Sequence, residues 1–414
     1  MLELRVIAEK ELDFFVAKSP YVHYMKTSAW GAFKQKTEGL SYTCLGFFQA
    51  NLICATAMVL EGSFLGHRYL YIPKGPCFDY EDASLLADVF AALKGYARER
   101  QVQFLRVDPN VIRRSHLITG EVTDAINNEA VTEQLISLGY RHRGYNYAYD
   151  GSWTNRFTLI IPIEKPLVEL RNGFSKPRRT SLNRHLINGV RTRLGSRDDL
   201  DSLMKFEVML SEQDGFRPHT REFFEALMDC FGSHVRLYVT EINLEEMIVG
   251  IEQELNSKKY RKDPEAREAK EKELARAREL YLKYGASLPI ACGLFLYCSG
   301  MSWDLYTYNH KEFNFIKPVD NLHLFAITDM KSLGVTQYDM CGFSGVTDRS
   351  DPEYGLYAYK RSFGPEFIEQ IGEFDYVLNE SAYRRFKKEK SFEVRARHKY
   401  WKLRYRKSEK KQSA

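Results

Sequence analysis

Residues 41–60 read SYTCLGFFQANLICATAMVL, two β-rich apolar runs parted by Ala50 and Asn51, and they predict a hairpin of two strands. Outward from it, HRYLYIPKGP (67–76) adds a strand that ends where Pro73, Gly75 and Pro76 force a loop. LLADVFAALKGYARER (85–100) spaces its apolar residues as a helix does, and VQFLRVDP (102–109) supplies a strand stopped by Pro109. The order is strand, strand, strand, helix, strand. It returns in the second half: LPIACGLFLYCSGMSWDLYTYN (288–309) gives strands, NLHLFAITDMKSLGV (321–335) a helix, and TQYDMCGFSG (336–345) a strand before a glycine-rich turn. The match is one of pattern, not identity, and it predicts an internal duplication into two similar α/β domains.

A chain of 414 residues exceeds what one core usually organises, and 44% hydrophobic with 14% aromatic residues is ample material for two. The net charge of +5 is small against 60 basic and 55 acidic residues, so its distribution matters more. From Arg384 to Lys411 there are fourteen Lys or Arg against three Glu, and Lys176, Arg178, Arg179, Arg184, Arg191 and Arg193 form a second basic cluster. Either could meet a polyanion. Seven scattered cysteines without CxxC spacing read as thiols in a reducing compartment. The charged N-terminus is unlike a signal peptide, and no eighteen uncharged apolar residues run together, so the expected location is cytoplasmic, with a peripheral position at the inner face of the membrane as the second expectation.

From about Leu244 to Tyr284 the α/β rhythm breaks into a stretch rich in Glu, Lys, Arg, Ala and Leu, divided near Asp263 and Pro264. This predicts an antiparallel helical hairpin, which a merely solvated charged arm would also resemble. The expected division is residues 1–165 for the first domain, 166–243 with 287–380 for the second, 244–286 for the inserted arm and 381–414 for a basic tail.

Phosphate-loop, dinucleotide-binding, HExxH and GxSxG signatures are missing from the chain. A specific resemblance stands instead. TSAWGAFKQKTEG (27–39), FSKPRRTSLNRHLINGVRTR (174–193) and YGLYAYKRSFGPEFIEQIGEFDYVLN (354–379), in that order and with an arm between, resemble the FemABX/MurM family of tRNA-dependent peptidoglycan branching-peptide aminoacyltransferases. The resemblance implies an α/β (α+β) fold of two tandem acetyltransferase-like (GNAT-type) domains that use no acetyl-CoA and no cofactor or metal. It implies aminoacyl-tRNA as co-substrate and donor, and a muramyl-pentapeptide precursor, lipid-linked or nucleotide-linked, as acceptor.

By the same resemblance Lys34, after Trp30 on a short helix, contacts the precursor's phosphates, and Trp30 is either a neighbour of the substrate or core. Asp108, at a strand end before Pro109, is a candidate base for the attacking amine, although aspartate before proline is also a common turn device. Lys360 lies near the junction of the two substrates, where a cation could stabilise the oxyanion or meet the tRNA's terminal phosphate, although an exposed strand lysine would read the same way. Tyr306 and Tyr308, on one face of a strand, line the acceptor channel or simply pack across the sheet. SEQDGFRPHTREFF (211–224) departs from the family pattern, having Gln213 and His219 where arginines are common, so phosphate binding passes to Arg217. Arg178, Arg179, Arg184 and Arg191, on a basic helix opening the second domain, together with the arm and the tail, are expected to hold tRNA. Tyr400, Trp401 and Tyr405, interleaved with cations, could equally rest on an anionic membrane face.

The expected reaction transfers an amino acid to the stem-peptide amine of lipid II or UDP-MurNAc-pentapeptide. A same-fold transferase acting on a protein N-terminus, or a non-catalytic protein binding tRNA or a membrane surface, are the alternatives.

Overall fold

The computed structural model describes residues 2–145, 147, 152–185, 189–393 and 395–396. Both copies of the expected motif are present. In the first, Ser41–Gln49, Leu52–Phe64 and His67–Ile72 run antiparallel in turn, helix Ala83–Glu99 crosses over, and Phe104–Val107 returns parallel to His67–Ile72. In the second, Val235–Asn243, Ser287–Cys298 and Met301–Asn309 do the same, helix Pro318–Ser332 crosses over, and Gln337–Phe343 returns parallel to Met301–Asn309.

The turn at Ala50 and Asn51, both in the left-handed region, has its counterpart in the arm, which fills the same connection in the second copy. Helices Leu244–Leu255 and Pro264–Tyr284 form that arm, joined by the short helical turn Lys258–Lys262. Its base is not free of the domain: Leu244, Met247, Ile251, Ala277 and Leu280 bury against Ile242, Ile290 and Phe313.

The sheets do not follow the expected cut after residue 165. Strands Ile112–His116 and Val122–Asn127 leave the first half for the edge of the nine-stranded second sheet, while Phe374–Val377 returns from the far end of the chain to the seven-stranded first sheet. Each crossover strand is completed by the other half. Phe104–Val107 pairs antiparallel with Phe374–Val377, and Gln337–Phe343 pairs antiparallel with Phe157–Pro162. A buried ion pair fastens the first exchange, with Arg106 donating from Nε and Nη2 to the two carboxylate oxygens of Asp375 at 2.7 and 2.8 Å.

Beside each motif's own core lies a shared one, in which Trp30, Leu60 and Tyr71 meet Leu203, Phe224, Leu294 and Trp303. Helices Ser28–Glu38 and Arg221–Phe231, each preceding the first strand of its copy, pack together through Phe33 and Phe223, 5.1 Å apart. Residues 380–393, which take in the start of the expected tail, are helical, and Tyr383 and Phe386 bury on Phe104. The cysteines are unpaired thiols, buried or half-buried. Among the described residues no helix is long and apolar enough to cross a membrane, and no cluster of His, Cys, Asp and Glu could hold a metal ion.

Candidate active site

Where the second sheet meets the loops at the ends of the first-sheet strands there is a cavity of about 470 Å³. Lys74, Thr154 and Asn155 line one side of it, and Trp303, Asp339 and Cys341 the other.

On the first side, the strand His67–Ile72 ends in the Pro73–Pro76 turn, which holds Lys74 at φ 54° with its side chain mostly buried. Asp108, almost wholly buried, fixes this turn by accepting from the Lys74 backbone N–H at 2.6 Å. Its other oxygen lies 3.5 Å from Lys74 Nζ and accepts from the Thr154 hydroxyl. Lys74 Nζ also donates to Thr154 Oγ1 at 3.0 Å. Carboxylate, ammonium and hydroxyl thus form one buried knot, with the ammonium reaching the cavity and the carboxylate behind it.

On the other side, the ladder between Gln337–Phe343 and Phe157–Pro162 breaks between Asp339 and Gly342, and Cys341 is pushed to φ 59°, a strained region for a residue with a side chain. Two buried groups hold the break open. Asp339 accepts from Cys341 N at 2.7 Å and from the Thr158 hydroxyl. Lys360 lies on helix Tyr354–Arg361 and donates to the carbonyls of Met340, Cys341 and Gly342, at 2.5, 3.2 and 2.9 Å. Those bonds use all three protons of an ammonium. Burial lowers the pKa of Lys360, while Cys341, Asp304 and Asp339 act against that shift. Burial also raises Asp304 to about 6. The reading of Lys360 as an oxyanion cation changes accordingly: in this structure it positions the backbone of the cavity wall.

A third group adjoins. Glu207, fully buried, accepts from the Tyr308 hydroxyl at 3.1 Å and from His219 N at 3.1 Å, and lies 2.6 Å from His219 Nδ1. The imidazole stacks on Phe223 at 4.1 Å and meets Tyr306 edge-on at 5.2 Å. Tyr306 and Tyr308 therefore form a wall with His219, although none of the three lines the cavity itself. Arg217 is exposed and makes no hydrogen bond or ion pair among the described residues.

Trp30 is core, packed on Tyr24 and Phe33 at 5.2 Å from each. Lys34 lies 4.8 Å over the Trp30 ring, pairs with Glu38 and does not line the cavity. Of Lys34, Asp108 and Lys360, the last two back opposite sides of one cavity, and Lys34 stands apart beside the seam of the two packed helices.

The expected tRNA-binding arginines separate. Arg178 is buried, paired with Asp320, bonded to Ser362 Oγ at 2.8 and 3.0 Å and packed on Tyr359 and Phe363, so it is a structural group. Arg179 donates to the carbonyls of Asn172 and Phe174 at 2.9 and 2.5 Å, satisfying the end of helix Leu167–Gly173. The basic helix ends at His185, so Arg191 lies on strand Val190–Leu194, exposed and paired with Glu246 at 2.9 Å. The side chain of Arg184, and Tyr400, Trp401 and Tyr405, lie outside the described residues.

Sequence reasoning missed Lys74, Asp339, Cys341 and Glu207. The Pro-Lys-Gly-Pro run was a signal for Lys74, since a cation inside so constrained a turn is held in place. The others carry no local signature.

The FemAB family model matches residues 7–389. The lipid II:glycine glycyltransferase of Staphylococcus aureus (strain MRSA252) is 25% identical over 410 residues, 92% of this chain and 94% of that protein. The corresponding protein of strain NCTC 8325 / PS 47 shows the same identity and coverage. The crystal structure of FemX shares the fold with a TM-score of 0.76 and 23% identity, over 92% of this chain and 99% of that one.

Proposed function

The chain belongs to the FemAB family, and from that premise we propose that it is an aminoacyltransferase, moving an amino acid from aminoacyl-tRNA to the stem-peptide amine of a peptidoglycan precursor. The observation that carries the reading is the cavity with a buried ammonium on one side and a pinned, irregular strand on the other. The full-length similarity to lipid II:glycine glycyltransferases supports the acceptor class.

In this reaction the amine nitrogen attacks the ester carbonyl carbon, a tetrahedral oxyanion forms, and the ester C–O bond breaks as the proton given up by the amine passes to the leaving oxygen, which departs as the tRNA's terminal hydroxyl. An aminoacyl ester is already activated, so the protein chiefly has to align the amine, accept its proton and neutralise the oxyanion. Lys74 is the cation that reaches the cavity. Asp108 fixes it through both backbone and side chain, and stands one atom layer behind as the carboxylate that can take the amine's proton through the Thr154 hydroxyl. Lys360 keeps the facing wall in its bulged form. The Tyr306–His219–Tyr308 wall and exposed Arg217 offer polar contacts to the precursor outside the cavity.

Purified chain, tRNA charged with labelled amino acid and lipid-linked precursor are expected to give a labelled branched product. The reading is overturned if no label transfers under conditions in which the staphylococcal glycyltransferase transfers it.

A further inference from the structure

The arm carries its charge unevenly. Along its two helices, Leu244–Leu255 and Pro264–Tyr284, nine carboxylates face six cations, and most cations are spent on internal pairs. Arg267 holds Glu271, Lys270 holds Glu254 and Glu273, Lys272 holds Glu268, and Arg278 holds Glu252. The connecting turn is the reverse: Lys258, Lys259, Arg261 and Lys262 are exposed and form no ion pair among the described residues. The single acid there, Asp263, is occupied in capping helix Pro264–Tyr284 by accepting from Ala266 N at 3.0 Å. Lys259 Nζ lies 4.9 Å over the Tyr260 ring, which adds an amphipathic aromatic to the cluster.

A polyanion laid along such an arm would meet carboxylates over most of its path, whereas a flat surface met end-on touches only the cations. A polynucleotide needs a stripe or groove of positive charge that follows its backbone. A leaflet needs only a few cations at one point, with an aromatic suited to the interface. We propose that the Lys258–Lys262 tip is a membrane contact that seats the arm end-on against anionic phospholipid headgroups. The inference deepens the proposed reaction, on which it rests for its purpose, by naming the surface where a lipid-linked acceptor is met.

The test uses the full chain and sedimentation with vesicles of phosphatidylcholine alone or mixed with phosphatidylglycerol. One variant replaces Lys258, Lys259, Arg261 and Lys262 with Gln. A second replaces four shaft cations, Arg267, Lys272, Arg276 and Arg278, with Gln. Both lose the same charge, and both keep the basic residues beyond 393. Each tip cation is worth about fivefold in partitioning onto an anionic leaflet, so the tip variant is expected to bind anionic vesicles at least about tenfold more weakly, and the shaft variant to stay within about twofold. Equal losses in the two variants overturn the proposal, because net charge and not the tip would then govern binding. It is also overturned if the tip variant keeps vesicle binding and instead loses retention of uncharged tRNA. Absence of transfer in the unaltered chain would sink the proposed reaction and leave the vesicle result standing.

Discussion

The cavity region and the arm are built from the same charged residue types put to opposite uses. Lys74, Asp108, Asp339 and Lys360 at the cavity walls, and Arg178 with Asp320 beside helix Tyr354–Arg361, are all buried, and each is held by named polar partners. Along the arm, pairs such as Arg267 with Glu271 and Lys272 with Glu268 are exposed and local, at one helical turn's spacing. Removing one member of a buried pair strands a charge without solvent, whereas removing one member of an exposed pair hands the other back to water. The two regions therefore differ in what a single substitution costs, and that difference can be measured.

The largest effect is expected from Arg178→Ala, which leaves Asp320 buried and unpaired. It should lower the unfolding free energy by about 3–5 kcal/mol, read from urea denaturation, and a change below about 1 kcal/mol would place Arg178 with the exposed pairs. Next comes Lys74→Met, which keeps the bulk and removes the cation at the cavity. Transfer should fall about 10²–10³-fold in kcat with folding retained, whereas an effect confined to KM would make Lys74 a binding group and not a partner of the oxyanion.

His323 tests the same contrast by pH. Burial first, then the charges of Arg178 and Lys360, hold its pKa at about 3, and its Nδ1 lies 2.7 Å from the Tyr338 hydroxyl. In the unfolded chain the imidazole titrates near its ordinary value of about 6.5, so between those limits only the unfolded state binds the proton. Stability contributed by neutral His323 is complete above pH ~6.5 and is lost as pH falls towards 3, by up to about 1.4 kcal/mol per unit. His323→Gln should flatten that acid limb in a pH series of denaturation midpoints, and an unchanged limb would assign it to other groups. The smallest effect belongs to the arm, where Arg267→Ala should change stability by less than about 0.5 kcal/mol in the same assay.

The doubled motif was legible because each copy is spelled in local terms: apolar alternation, a helical period, and a proline or glycine at each stop. The arm was legible for the same reason, with Asp263 and Pro264 marking its second helix. The exchange of strands between sheets was not, since nothing within Phe374–Val377 says which of two similar edges it will join. Its Asp375 marks the edge only once it meets Arg106, 269 positions away. The site was half legible. Asp108 stands out as a polar residue at a strand end and Lys360 by the family resemblance, but whether a buried cation faces a substrate or a row of carbonyls depends on the backbone beside it. For Lys360 that backbone is a bulge at Cys341 with no local sequence signature. Arg178 reads as a surface cation of a basic helix until its neighbours Tyr359, Phe363 and Asp320 are seen to enclose it.

The swap of strands has a consequence for how the molecule is made. On the ribosome, the first sheet cannot close when residues 1–165 have emerged, because one of its inner strands is Phe374–Val377, which is made much later. The nascent first half must wait with the edge of Phe104–Val107 open while more than two hundred further residues are added. Arg106, a cation destined for the interior, has no carboxylate to meet until then, which makes completion of both halves a single late event.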